Sequence, residues 1–288
     1  MSLYLKTLEL EGIKTLNSKE IFLQNEAYDN KKRIGILNLM PLKGETEGHI
    51  LKMLLSSKEE IFVDFIRIKS HKSKLTSQEY LNKNYSTFNE LKNKLDGVII
   101  TGAPLETLEF NDISYKNELR EIIEFLKNNK RPTFYICWGA QMALNYIYGV
   151  RKINVNSKIF GVFSHEVLLE NEILKGIENG FKCPHSRHST LCKEDIIKDS
   201  RLRVLAESEI GEYSLLKGSY NDYYVLGHLE YDKEVLKNEY LRDKNKGANI
   251  ELPRNYFLGN NIENEIIFSW EETGKRIYKN WINFVKNN

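Results

Sequence analysis

The stretch Thr133-Phe134-Tyr135-Ile136-Cys137-Trp138-Gly139-Ala140-Gln141-Met142-Ala143-Leu144 decides the fold. Its first four residues read as a short buried strand, and the residues from Trp138 onward read as a helix. Cys137 stands at the junction. A thiol there meets the N-terminal end of the helix dipole, which favours the thiolate. The tight turn also lifts the side chain clear of the sheet, as at a nucleophile elbow. A buried structural thiol is the competing reading, since free cysteine is among the most buried residue types. Gly139 and the strand-turn-helix context favour the nucleophile.

Working outward, apolar runs of strand length recur at Ile34 to Leu39, Ile61 to Ile68, Val98 to Ile100 and Phe134 to Ile136. Between them, Glu45 to Ser56 and Asn117 to Asn129 carry apolar residues at helical spacing. Thr87-Phe88-Asn89-Glu90 fits a capping box ahead of Leu91. Strands that alternate with helices predict an α/β fold, a mostly parallel sheet with helices on both faces. Burial of both sheet faces explains why the strands are continuously apolar.

The second half is more mixed. Gly161-Val162-Phe163, Arg203-Val204-Leu205 and Tyr223-Tyr224-Val225-Leu226 read as strands, and Lys233 to Lys246 as a helix that Gly247 can end. A last amphipathic helix, Glu271 to Val285, presents Ile277, Trp281 and Phe284 on one face, which suggests a homodimer contact. Residues 70 to 86 read as an exposed, partly helical connection. Without repeat, long linker or low-complexity tract, residues 1–288 read as one domain, with about 1–30 an N-terminal extension and the core at about 31–288.

The composition narrows the function. With 42 Lys and Arg against 40 Asp and Glu, the net charge is only +2, and no basic face is visible to bind nucleic acid. No apolar stretch approaches the roughly 20 residues of a membrane span, and Lys6, Glu9, Glu11 and Lys14 interrupt any signal-peptide core. Three cysteines do not make a disulfide framework, which points to the reducing cytoplasm.

Ligands of an open parallel sheet bind at the carboxyl ends of its strands. Four segments follow predicted strands: Asn38 to Glu47, Thr101 to Glu106, Cys137-Trp138-Gly139, and Gly227-His228-Leu229-Glu230. They are expected to converge on one cleft. Two residues apart on an extended chain, His228 and Glu230 lean the same way, so Glu230 can orient the imidazole while its other nitrogen faces the thiol. Pro184-His185-Ser186-Arg187-His188 reads as a substrate-contacting loop with Ser186 and Arg187 as donors. Metal binding by His185 and His188 is the weaker reading, because Arg187 repels a cation, so no metal is expected. The glycines match neither a phosphate loop nor a dinucleotide fingerprint.

These segments together resemble the homoserine O-acyltransferases of methionine biosynthesis, whose fold is class I glutamine amidotransferase-like. The resemblance rests on Leu37-Asn38-Leu39-Met40-Pro41, Glu45-Thr46-Glu47, Asp96-Gly97, Thr101-Gly102-Ala103-Pro104 and Glu109-Phe110-Asn111-Asp112. It continues through Cys137-Trp138-Gly139-Ala140-Gln141, Gly161-Val162-Phe163, Pro184-His185-Ser186-Arg187 and Gly227-His228-Leu229-Glu230-Tyr231-Asp232. Leu229 departs from the proline usual in the family, at a spacer between the two chemical groups.

The resemblance implies Cys137 as acyl-accepting nucleophile, His228 as base and Glu230 as its orienting partner. It implies Lys158, Ser186 and Arg242 for homoserine, and Lys43 on the acyl-donor side. The backbone amides of Trp138 and of the Gly102-Ala103 turn are the oxyanion candidates. Glu106 occupies the position that sorts acetyl from succinyl donors, and its carboxylate is expected to repel a succinyl group. The expectation is therefore a homoserine O-acetyltransferase, with acetyl-CoA as co-substrate and no bound cofactor. The succinyl-specific enzyme is the alternative, and a glutamine amidotransferase the more distant one.

Overall fold

A computed structural model describes residues 2–16, 19–24 and 31–288. The strands among these residues are β1 (Leu3–Leu5), β2 (Ile21–Leu23), β3 (Lys32–Leu37), β4 (Ile61–Arg67), β5 (Ser86–Thr87) and β6 (Gly97–Ile100), then β7 (Thr133–Ile136), β8 (Lys152–Val167), β9 (Phe181–Leu191), β10 (Arg203–Ser208), β11 (Tyr213–Lys217) and β12 (Asp222–Val225). The helices are α1 (Lys43–Ser56), α2 (Gln78–Asn84), α3 (Phe88–Leu91), α4 (Lys116–Asn128), α5 (Trp138–Tyr148), α6 (Lys193–Lys198), α7 (Val235–Asn245) and α8 (Glu271–Asn287). The strands form one sheet in the order β2-β1-β4-β3-β6-β7-β12-β11-β10-β8-β9, with β5 beside β4. Pairing is parallel from β2 to β12 and antiparallel from β12 to β9.

Alternation along the parallel strands sends side chains to two cores. Ile34, Ile36, Ile99, Phe134 and Ile136 meet α1 and α8 on one face. Leu37, Val98, Ile100 and Tyr135 meet α4 and α5 on the other. This is the α/β arrangement expected, with helices on both faces. The capping box is present too: Glu90 Oε2 accepts from the Thr87 amide at 2.6 Å and opens α3.

Three expectations need correction. Among the described residues of the N-terminal extension, some are built into the core: β1 pairs with β4, and Leu3, Leu5 and Leu10 are buried in it. Pro184 to His188 is not a loop but lies within β9, whose mixed polar sequence hid its burial. The apolar face of α8 offers no dimer surface, because Ile277, Trp281 and Phe284 are buried against the sheet of their own chain.

Candidate active site

The parallel strands deliver their following residues to one edge of the sheet. There a cleft of about 560 Å³ is lined by residues of the α1 entrance, the 101–106 turn, Cys137, the loop after β12 and α7. That volume is typical of a small-molecule site.

Cys137 is the hinge between β7 and α5, with φ +48° and ψ −115°. Such a backbone is strained for a residue bearing a side chain, and strain of this kind concentrates at functional sites. It persists because both neighbours are pinned. The Cys137 amide donates to Val225 O at 2.7 Å, and Gln141 donates to Cys137 O at 3.0 Å. Gly139 then lets α5 press against the end of β6: a Cβ there would stand 2.6 Å from Thr101 O.

His228 is carried by the loop after β12, its amide donating to Pro184 O of β9 at 2.8 Å. Its Nδ1 donates to Glu230 Oε1 at 2.7 Å, which fixes the tautomer and leaves Nε2 for the thiol. Burial would lower the His228 pKa, but the charges and hydrogen bonds of Cys137 and Glu230 outweigh it and hold the pKa well above the ordinary value. Tyr231 stacks on the imidazole at 4.1 Å between ring centroids. Gly102 touches both groups: a Cβ on it would lie 3.3 Å from Cys137 Cβ and 3.5 Å from His228 Cε1. The turn bearing Gly102 and Ala103 therefore lies against both Cys137 and His228.

At the α7 end the expected residues meet on one that sequence reasoning missed. Glu239 Oε1 accepts from Ser186 Oγ at 2.7 Å, from Lys158 Nζ at 2.7 Å and from Arg242 Nη2 at 3.4 Å. Asp243 takes a second bond from Lys158 and one from Arg242. Ser186, Glu239 and Arg242 line the cleft, while Lys158 touches it only through Glu239. Glu239 lies one helical turn before Arg242, and that i,i+3 spacing was the signal available in the sequence. Glu106 also lines the cleft. Its turn is tied down by Lys152, whose Nζ donates to Glu106 O at 2.8 Å and Leu108 O at 2.6 Å.

Lys43 and Arg187 are not where they were expected. Lys43 Nζ turns away from the cleft toward a separate cavity beside Asn38, His71 and Tyr115. It donates to Asn38 O there, and burial draws its pKa down to about 8 against the raising charge of Glu47. Arg187 is fully buried; its Nε donates to His185 Nδ1 at 3.3 Å and its Nη1 to Ser189 O at 2.6 Å. It cannot reach a substrate. Ser189 Oγ in turn donates to Gln141 Oε1 at 2.8 Å, so Arg187 braces α5 from behind. Glu47, part of the motif at α1, likewise faces inward and accepts from Tyr80, Tyr85 and the Gly12 amide.

His188 is exposed, but the fold brings His165 and Cys183 to His185, with ligand composition for a metal. The hydrogen bonds argue against a cation. Arginine only donates, so His185 Nδ1 accepts, and its Nε2–H points to His165 Nε2 at 3.1 Å. His165 Nδ1 then donates to Phe163 O at 3.0 Å. A metal on His185 Nε2 would force the proton onto Nδ1, against Arg187. Burial and the Arg187 charge both lower the His185 pKa, so the imidazole stays neutral.

The fold is that of the class I glutamine amidotransferases. It resembles a glutamine amidotransferase from Thermotoga maritima, with a TM-score of 0.59, 14% identity and coverage of 90% of this chain and 100% of that one. A glutamine amidotransferase from Methylobacillus flagellatus has a TM-score of 0.56 at 12% identity, over 88% of this chain and 94% of that one. The family is set by sequence: residues 5–288 match homoserine O-succinyltransferase, and the chain belongs to that family. The homoserine O-acetyltransferase of Clostridium acetobutylicum is 42% identical over 283 residues, 96% of this chain and 94% of its own. The protein of the same name in Bacillus cereus is 40% identical over 284 residues, 96% of this chain and 94% of its own.

Proposed function

We propose that this chain is a homoserine O-acetyltransferase that works through a thioester on Cys137. The observation that carries the reading is one cleft holding Cys137, hydrogen-bonded His228 and Glu230, and Glu106. Its near relatives are named homoserine O-acetyltransferases.

In the resting site the raised His228 pKa supports an imidazolium beside the sulfur. The Cys137 thiolate attacks the carbonyl of acetyl-CoA, and the oxyanion meets the amides of Trp138 and the Gly102-Ala103 turn. One such donor is worth roughly a hundred- to a thousandfold in rate. As the tetrahedral species collapses, the C–S bond to CoA breaks and His228 gives its proton to the departing thiolate. The sulfur is now neutral, so the imidazole loses one of the charges that raised its pKa and remains free to act as base. Homoserine binds with its ammonium toward Glu239 and its carboxylate toward Arg242, with Ser186 beside them and Lys158 holding Glu239. His228 takes the hydroxyl proton, the alkoxide oxygen bonds to the acetyl carbon, and the C–S bond to Cys137 breaks. The thiolate and imidazolium return, and O-acetylhomoserine leaves for methionine biosynthesis. Acetyl-CoA is a co-substrate, and these steps call for no bound cofactor. Three buried free thiols support a cytoplasmic protein.

Glu106 decides between acetyl and succinyl. A succinyl donor brings a distal carboxylate into the cleft that Glu106 lines. Two such charges about 4 Å apart at an effective dielectric near 20 repel by about 4 kcal/mol, roughly a thousandfold. The test is steady-state kinetics with acetyl-CoA and succinyl-CoA for the native protein and Glu106→Gly. The native protein is expected to prefer acetyl-CoA and the variant to gain succinyl-CoA activity. Equal use of both donors by the native protein contradicts the reading.

A further inference from the structure

We propose a binding groove for the pantetheine arm of the acyl donor, entered past His49 and walled by Thr15, Leu16, Gly48 and Lys52. This rests on the acyl-CoA reading above and assigns where the arm of that donor lies. A second cavity of about 370 Å³ adjoins the active-site cleft, and Glu45, His49 and Asp232 line both. Ser186, Glu239 and Arg242, the amino-acid end, line only the cleft. The second cavity thus meets the cleft at residues other than those of the homoserine site.

The donor needs such a space. Its thioester must reach Cys137, and the remainder is a long arm of amides and methyl groups ending in phosphates. The walls suit the arm: Leu16 is apolar, Thr15 offers a hydroxyl, and Gly48 has no side chain. Lys52 lines only the second cavity, with its Nζ ion-paired to Asp232 at 3.0 Å and to Glu271 at 3.3 Å, so the phosphates at the far end of the arm lie outside this acidic wall.

The groove also explains a buried contact that the chemistry does not use. The outer wall is the short 3-10 helix Glu11–Thr15. Glu47, with no exposed surface, accepts from the Gly12 amide at 3.0 Å and from Tyr80 and Tyr85 at 2.9 and 2.6 Å. A buried carboxylate is costly unless hydrogen-bonded. Here it fastens the N-terminal segment onto α1 and so closes the groove.

The experiment compares acetyl-CoA with S-acetyl-N-acetylcysteamine, a thioester lacking the nucleotide and most of the arm, in the native protein and Leu16→Trp. Leu16→Trp is expected to lower kcat/KM for acetyl-CoA by about tenfold or more, while the short donor stays within about twofold. An equal effect on both donors, or none on either, overturns the groove while leaving the acyltransferase reading intact. A native protein that uses neither thioester overturns both.

Discussion

At Cys137, one backbone conformation and two side chains make the chemistry. Glu230 does not touch the substrate; it fixes the proton of His228 on Nδ1 and helps to raise its pKa. Because that folded value lies above the ordinary one of about 6.5, the imidazolium contributes fully to stability below that pH. Its contribution is lost as pH rises through the raised value. Glu230→Gln removes one raising cause, so NMR titration of His228 in the resting enzyme is expected to move to lower pH. The same variant is expected to lose on the order of a hundredfold in kcat, the scale of general-base catalysis. A titration that does not move counts against the pairing. Lys43 gives the opposite sign. Its pKa falls from 10.5 to about 8 on folding. The unfolded chain therefore binds more protons between those values, and stability rises with pH across them by about 3 kcal/mol at most. Denaturation midpoints of Lys43→Met are expected to lack that rise. The sequence exposed Cys137, His228 and Glu230 because each follows an apolar strand. It concealed Lys43 and Arg187, since a polar residue beside a site motif gives no sign of which way it turns.

Among the elements, α5 and α7 divide the work. Helix α5 starts directly after Cys137, and its height above the sheet is set where Gly139 meets Thr101 O. Gly139→Ala forces the two apart, because the obstacle is backbone. The expected cost is about 1–3 kcal/mol of stability, with a larger loss of activity as the Trp138 amide shifts. A thermal melt beside an acetyl-transfer assay checks this; unchanged activity would mean that the helix start does not serve the oxyanion. On α7, Glu239 gathers Ser186, Lys158 and Arg242 around one carboxylate. Glu239→Gln is expected to raise KM for homoserine by about tenfold or more while KM for acetyl-CoA holds, since charge-assisted hydrogen bonds are the strong ones. Helix periodicity made both elements legible. Strand β9 was not, because its polar residues bond to one another and to neighbouring strands inside the protein, whereas the pattern rule expects buried strands to be apolar.

Across the whole molecule, the parallel half of the sheet holds the chemistry and the antiparallel half braces it. Strand β9 supplies Pro184 O to the base loop and Ser189 to α5, so the two halves meet directly behind the cleft. Helix α8 seals one face of the sheet with Trp281, which is fully buried against Phe134. Trp281→Ala is expected to cost about 3–5 kcal/mol, read as a drop in the denaturation midpoint. The alternation of strands and helices revealed the architecture, and the amphipathic pattern revealed α8. What the pattern left open was the partner of that apolar face, which is the chain's own sheet. The central claim is that an acyl group rests on Cys137 between two substrates. Intact mass spectrometry after mixing with acetyl-CoA, with no homoserine present, tests it most directly. One added acetyl group is expected on the native protein, absent from Cys137→Ala and discharged when homoserine is added. A native protein that makes O-acetylhomoserine yet never carries the acetyl group, or carries it equally in Cys137→Ala, contradicts the account.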